Sequence, residues 1–534
     1  MRSLSDWRAR AFYVSCLILV PFLKFLIRND YGFFYFEALT AVLLLAAVCG
    51  LLGLAVRGGG FHILIALLIA VTATYPLLHM ANSPSAIPPW TVGLAILAVS
   101  WLALRWMGEG FLIALAVFAW SGLPVEAVMQ PKWTRAATLP STAKAQGHAL
   151  WLIFDEQVGL AGYPLDLPEC SVAKLRLQHT LERYNFTLFP NAYSNYPTTV
   201  DSVPSVLNGR LVRWPEELMP RVGASEQRHY EIRENRLFSE FAAKGYSVAA
   251  WQFGAVKICP GQNHGVECFE YRERLSWLHR IPGGWVERFR WLVGSYQASD
   301  PWTSRTKGFF PFRFGIKLAL PLAVEELWPD GLAAQVQAAP QRTLLAAHLL
   351  IPHSPYIYHR DGRLRPKQEW AGDRAGRRFS ERDYREMYCR YCEQTEYAAV
   401  RLDRFLHRLK QSGVLEGMNI VIHGDHGPRI LRRLPNSVEP ELRGRDEAVW
   451  AEILDYSGEP DRRDLMDRFS TLLAIKRAGA TAPLIRQEKH SLLTFLSREM
   501  FGKEPQDGLE RADKVYMADS QHALHAIDIQ YYWR

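Results

Sequence analysis

Three short stretches carry side chains whose types and spacing could perform metal-assisted chemistry. WLIFDE at 151–156 is an apolar run that stops at two carboxylates, Asp155 and Glu156. NIVIHGDHG at 419–427 stops in the same way at Asp425 and His426. Between them, NAYSNYPTTVDSVPSVLNGR at 191–210 sets Thr198 and Thr199 just ahead of a run that can begin a helix. Free backbone N–H groups at such a turn favour anions. A hydroxyl before a helix is ordinarily a cap. Beside two strand ends able to bear a metal it becomes a candidate nucleophile, because a bound divalent ion lowers the hydroxyl's pKa.

The elements that must position these groups are legible as short apolar runs alternating with amphipathic ones. HALWLIF, YSVAAWQF, TLLAAHLLI and MNIVIHG read as buried strands, and LFSEFAAKGY and YAAVRLDRFLHRLKQSG as helices. Strand, helix, strand alternation predicts an α/β domain with a mostly parallel sheet and helices on both faces. Ligands in such sheets sit at the carboxyl ends of the strands. Asp155, His353 (after HLLIP), Asp425 and His426 all fall there. His348, His359 and His423 lie in apolar or strand-interior settings and read as core histidines.

The apolar residues are unevenly spread over the 534 positions. Five segments, 11–27, 35–56, 61–80, 90–106 and 110–129, approach the ~20 residues an α-helix needs to cross ~30 Å of hydrocarbon. Turn chemistry separates them: RNDYG, RGGG, ANSPSAIPP and MGEG. The chain therefore divides into a five-span helical membrane anchor at 1–130, a Pro/Ala/Thr-containing linker at 131–147 and an α/β domain at 148–534. Arg2, Arg8 and Arg10 precede the first span, Arg57 sits in the second connection and Arg105 closes the fourth span. The positive-inside rule puts the N-terminus in the cytoplasm, and an odd number of spans delivers the α/β domain to the far side. A net charge of +8 is mild for this length, and no basic stripe interleaved with aromatics points to nucleic acid.

Cysteine usage agrees with an oxidising compartment. Cys259 and Cys268 bracket a polar loop that reads as a small disulfide. Cys170, Cys389 and Cys392 read as structural disulfide partners with the pairing open, and one CxxC without a second argues against a four-cysteine zinc site.

The ordered set of a strand ending in Asp/Glu, a Thr turn followed by PSxLxGR, a PHxPY segment and a strand ending in DHG resembles the alkaline phosphatase superfamily, in particular its sulfatase-like branch. With spans ahead of it, the chain resembles the membrane phosphoethanolamine and phosphoglycerol transferases and the lipoteichoic-acid synthases. The resemblance implies that Asp155 is the first metal ligand, with Glu156 the neighbouring carboxylate such sites also use. It makes Thr199 the nucleophile, with Thr198 the fallback, and Asp425 and His426 the ligand pair. His353 would contact the transferred group or a second metal, and Arg210 closes the nucleophile helix.

Two carboxylates, an imidazole and a hydroxyl oxygen form a four-ligand set suited to one divalent ion, zinc first, with manganese or magnesium as alternatives. The implied reaction moves a phospho-substituent from a phospholipid donor to an envelope glycan or lipid acceptor. It would run through a phospho-threonine at the bacterial inner membrane, with the catalytic domain periplasmic. A phosphoester or sulfoester hydrolase of the same superfamily is one alternative, and a non-catalytic envelope-assembly protein retaining the fold is another.

Two departures from that pattern bear on specificity. Thr199 with Val, Asp and Ser after it replaces the CxPSR turn of sulfatases, which disfavours sulfate-ester hydrolysis. Pro428 and Arg429 follow DHG where the transferases carry an acid, which argues against a second metal and against phosphoethanolamine specificity. The arginine-rich stretch 360–390 is either a solvated surface or a basic lip for anionic head-groups.

Overall fold

The computed structural model describes residues 6–29, 31–56 and 60–69, a few positions between 96 and 117, and 147–211. Beyond these it describes 218–220, 381–430, 462–518 and 524–529, and, with short interruptions, 230–299 and 320–370. The chain folds as two compact units. One comprises Met1–Trp133, Val222–Glu226 and Arg274–Ile316, and the other Thr134–Arg221, Gln227–Glu273 and Lys317–Arg534.

In the first unit, α1 (Trp7–Arg28) starts at Asp6, whose carboxylate accepts the Arg8 N–H at 2.9 Å. It pairs with α2 (Phe36–Ala55). The two approach so closely at Gly53 that a Cβ there would lie 2.7 Å from the Ala11 nitrogen. Arg10 Nε donates to the Gly53 carbonyl at 2.8 Å. Val14, Val20, Ile65 and Ala66 are buried together between the apolar segments. Both helices are long and apolar enough to cross a membrane, and Gly60–Ile69 is a shorter apolar helix. Two of the five expected spans thus stand as helices of membrane length. The third segment beyond residue 69, most of the fourth and fifth, and the linker up to 146 lie outside the described residues.

The second unit is built on a sheet of eight strands: β1 (Ala149–Phe154), β2 (Thr187–Leu188), β3 (Ser247–Phe253), β4 (Val266–Tyr271), β5 (Thr343–Leu349), β6 (Asn419–Gly424), β7 (Leu473–Lys476) and β8 (Leu484–Ile485). Their spatial order is β8-β2-β7-β6-β1-β5-β3-β4. All neighbours from β6 to β4 run parallel, and β7 alone is antiparallel to both of its neighbours. β1 is buried along its whole length, as a strand covered on both faces must be, which is why its sequence is a continuous apolar run.

Successive side chains of β1 serve opposite faces. Trp151 and Ile153 join Val203, Val206 and Leu207 of α4 (Thr199–Asn208) and Leu237, Phe238 and Phe241 of α5 (Arg236–Ala243) in one core. Phe154 meets Trp328 edge-on at 5.5 Å, and Trp328 packs on Phe405 of α8 (Glu381–Gln411). Here α3 is Pro168–Arg183, α6 Trp285–Ser299 and α7 Asp330–Ala338. Of the helices read from sequence, the second extends N-terminally to 31 residues. Two disulfides are present, Cys170–Cys392 between α3 and α8 and Cys259–Cys268, while Cys389 is free.

Candidate active site

Parallel pairing of β1 with β6 in the register Phe154↔Gly424 brings the two strand tips level. Asp155 and Asp425 therefore leave the sheet side by side. Gly424 is required there, since a Cβ would lie 2.3 Å from the Gln157 carbonyl. The Asp425 carboxylate accepts the N–H groups of Glu156 and His426 through Oδ1, both at 2.9 Å. Asp155, Asp425 and His426 are fully buried, and one ligand atom from each lies within 4.8 Å of the others.

Thr199 opens α4, and its Oγ1 stands 3.1 Å from His426 Nε2, half-exposed. Thr198 is the N-cap residue. Its hydroxyl donates to Asp201 Oδ2 at 2.5 Å, so its oxygen is turned to the helix. Ser202, one turn into α4, donates to the Asp425 carbonyl at 2.6 Å and contacts Ser194 Oγ at 2.8 Å. The bond to Asp425 ties α4 to the β6 tip.

A divalent cation fits this cluster. Asp155 Oδ1 and Asp425 Oδ2 are buried and accept no hydrogen bond of good geometry among the described residues, their nearest ring nitrogens being His353 Nε2 at 4.0 Å and His426 Nε2 at 3.2 Å, and buried carboxylate oxygens left so are costly unless a cation meets them. The electrostatics agree. Burial and the charge of Asp155 push the Asp425 carboxyl up to about 7. Burial also opposes ionisation of Asp155, but His353 and His348 beside it outweigh that and hold it below the usual carboxylate range. Burial and Arg429 keep the His426 imidazole well below its ordinary value, hence neutral and able to ligate.

Glu156 is at hand but otherwise engaged. Its backbone is left-handed (φ 61°). Its Oε1 accepts Arg429 Nη2 at 3.1 Å, and its Oε2 accepts the Ser354 N–H at 3.0 Å and the Tyr356 hydroxyl at 3.5 Å. It lies outside the group of three. His353 Nε2 stands 4.0 Å from Asp155 Oδ1 and 3.8 Å from Glu156 Oε1, and its Nδ1 donates to the Ser354 carbonyl. Burial opposes a proton on His353, but Glu156, Asp155 and that carbonyl outweigh it and raise its pKa.

The PHSPY segment is fastened from α8. Gln394 donates to the carbonyls of Pro352 and His353 at 2.9 and 3.0 Å and accepts the N–H groups of Ile357 and Tyr358. Tyr391 clamps the other loop, donating to the Glu156 carbonyl at 2.8 Å and accepting the Val158 N–H at 2.9 Å.

The site thus gathers Asp155, Asp425, His426 and Thr199, with Glu156 and His353 alongside. Arg210 pairs with Glu234 at 3.5 Å. His348, read as a core histidine, is buried but donates through Nε2 to Asp155 Oδ2 at 3.0 Å, orienting that carboxylate. The available signal was a polar residue inside an otherwise apolar strand. His423 behaves as a core histidine, accepting Trp151 Nε1–H at 2.9 Å. Ser202 and Gln394 had no local signal. In the arginine-rich stretch Arg360, Arg363, Arg365, Arg385 and Arg390 all pair with carboxylates, and 371–380 lies outside the described residues.

The Sulfatase family matches residues 152–441, more than half of the chain. This chain belongs to the sulfatase family, in the sulfatase-like branch of the alkaline phosphatase superfamily. It is a sulfatase-family enzyme, and members of that family bind a divalent metal.

Among solved structures it is similar to a phosphonate monoester hydrolase from Silicibacter pomeroyi, at 15% identity over 67% of this chain and 74% of that one, with a TM-score of 0.39. It is similar to the lipoteichoic acid synthase LtaP from Listeria monocytogenes, at 13% over 71% and 78%, with a TM-score of 0.37. The C-terminal periplasmic domain of EcEptC from Escherichia coli is similar at 13% over 73% and 94%, with a TM-score of 0.36. No curated protein matches the sequence.

Proposed function

We propose that this protein is a membrane-anchored transferase. It moves a phospho-substituent of the phosphoethanolamine or phosphoglycerol type from a phospholipid to an envelope glycan or lipid. The observation that carries the reading is the partly exposed Thr199 hydroxyl, 3.1 Å from His426 Nε2, beside the buried carboxylates of Asp155 and Asp425, each with one oxygen that accepts no hydrogen bond among the described residues. Asp155, Asp425, His426 and Thr199 would hold one divalent ion, zinc by the mixed N/O donor set. Such an ion supplies charge neutralisation on phosphoryl oxygens and a lowered hydroxyl pKa.

The chain's own groups account for the rest. Thr199 Oγ1, whose proton would pass to solvent as the ion binds, forms a bond to phosphorus while the donor's P–O bond breaks, and protonated His353 supplies the proton to the departing alkoxide. The acceptor hydroxyl then attacks phosphorus and gives its proton to the neutral His353, the P–Oγ1 bond breaks, and the Thr199 oxygen and the His353 proton are both restored. The two membrane-length helices support a lipid donor drawn from the bilayer. The arginines ahead of α1 support a cytoplasmic N-terminus in the inner membrane with the sulfatase unit periplasmic.

The test is intact-mass measurement and peptide mapping of the full chain incubated with a phospholipid extract. The expected result is an adduct on Thr199 that is absent in Thr199→Ala. An adduct elsewhere, or none, overturns the assignment. Product analysis separates the hydrolase alternative: head-group phosphate released to water instead of passed to a hydroxylated acceptor.

A further inference from the structure

The last stretch of the first unit, Arg274–Ile316, comes from within the sequence of the sulfatase unit: the chain leaves that unit after Glu273 and re-enters it at Lys317. Its helix α6 is fastened to one end of the α1–α2 pair. Tyr296 packs edge-on against Phe22 and Phe25, at 5.1 Å from each. Trp285 meets Phe36 edge-on at 5.1 Å. Arg288 Nε lies 3.7 Å from Glu37 Oε1, the same buried carboxylate oxygen that accepts the Tyr31 hydroxyl at 2.5 Å. The opposite end of the pair is the one where Arg10 meets Gly53.

Among the described residues the surface around this fastened end is aromatic and exposed. Phe34 is 96% exposed, Phe36 59%, and Trp285 and Val286 44% each. Water is a poor partner for such a contiguous apolar patch. The outer face of α2 continues it with exposed Leu39, Leu43, Leu44, Val48 and Leu51. Rings collected where an apolar helix pair of bilayer length ends match the depth at which aromatic side chains prefer to sit in membranes. A 15-residue helix with an exposed arginine, Arg290, beside its apolar turn suits the plane of the interface.

We propose that the Phe33–Phe36 turn and the first turn of α6 form one patch seated in the headgroup layer of a phospholipid bilayer. Residues 274–316 hold no uninterrupted apolar run of the ~20 residues a crossing needs, so α6 lies along the interface and does not span it. The proposal rests on the membrane-anchor reading above.

The test is the full chain, with Cys389 replaced by Ser, reconstituted in vesicles of phosphatidylethanolamine and phosphatidylglycerol. Nitroxide labels are placed at Phe34→Cys and Val286→Cys, two exposed positions, and at Leu484→Cys on exposed β8 as the aqueous reference. Collision with oxygen and with a water-soluble nickel chelate is read by power saturation. At 34 and 286 the nickel collision rate should fall several-fold below that at 484 while oxygen collision rises. Equal nickel access at all three positions overturns the proposal. So does mutual shielding from both reagents with dipolar broadening between labels of two copies, which would assign the patch to self-association. Alkaline carbonate extraction separates the two readings. Release of the chain into the supernatant sinks the anchor itself, whereas retention with water-exposed labels sinks only the interfacial patch.

Discussion

Arg429 holds Glu156 in a buried ion pair, Nη2 to Oε1 at 3.1 Å, immediately beside the cluster of Asp155, Asp425 and His426. The carboxylate next to the first candidate ligand is thereby taken up by a side chain of the protein, with Ser354 and Tyr356 on its other oxygen. A fixed guanidinium thus neutralises Glu156 without an ion, and one metal per chain is the expected stoichiometry, checked by metal analysis of the purified protein.

Breaking that pair from one side leaves a buried charge uncompensated. Arg429→Met should destabilise the chain by roughly 3–5 kcal/mol, and adding Glu156→Gln should restore most of the loss. Denaturant melts of the single and double variants check this. A double variant no more stable than Arg429→Met would mean that the pair is not the source of the loss.

Metal binding should depend on pH through one proton. Asp155 is held below the usual carboxylate range and His426 far below its ordinary value, so both are already deprotonated near neutrality. Asp425, pushed up to about 7, still carries a proton below that pH. A raised folded-state pKa means that the metal-free protein is most stable at low pH and loses that contribution as pH rises through about 7. Metal must displace the proton. Affinity should therefore climb about tenfold per pH unit below this point and level off above it. Calorimetric titration between about pH 5.5 and 8 in two buffers of different ionisation enthalpy would show near one proton released at the acid end. Asp425→Asn should abolish binding while leaving the melt cooperative.

His353 carries the opposite dependence. Its pKa is raised in spite of burial because Glu156 and Asp155 face it, so the protonated imidazole persists above its ordinary range and is lost as pH rises through that raised value. His353→Gln should lower turnover by about 10²–10⁴ and remove the alkaline limb of the rate profile. A variant that loses rate but keeps that limb would assign the limb to another group.

Covalent cross-linking should stabilise the loops behind the site. Cys170–Cys392 closes 222 residues and joins α3 to α8, the helix that supplies Tyr391 and Gln394. Cys392→Ala should cost roughly 2–5 kcal/mol. Cys389 is free, and burial and Glu169 push its thiol up to about 11. Cys389→Ala should leave the melting temperature and thiol-independent activity unchanged.

What the sequence determined by itself was what local pattern can encode. Continuous apolar runs marked β1, β3, β5 and β6 as strands covered on both faces, and their ends marked Asp155, Asp425 and His426. Burial periodicity and turn residues act over a few positions, so one sequence displays them. Which of those ends share a point in space depends on strand order and register. Only the tertiary structure set Phe154 against Gly424 and brought His426 to Thr199 across 227 residues. It alone gave Glu156 to Arg429 across 273 residues and placed His348 on Asp155. It also returned 274–316 to the anchor's unit, where a linear division at residue 130 had no reason to put it. Side-chain partnership across such separations is a property of the packed sheet, and no neighbourhood in the chain records it.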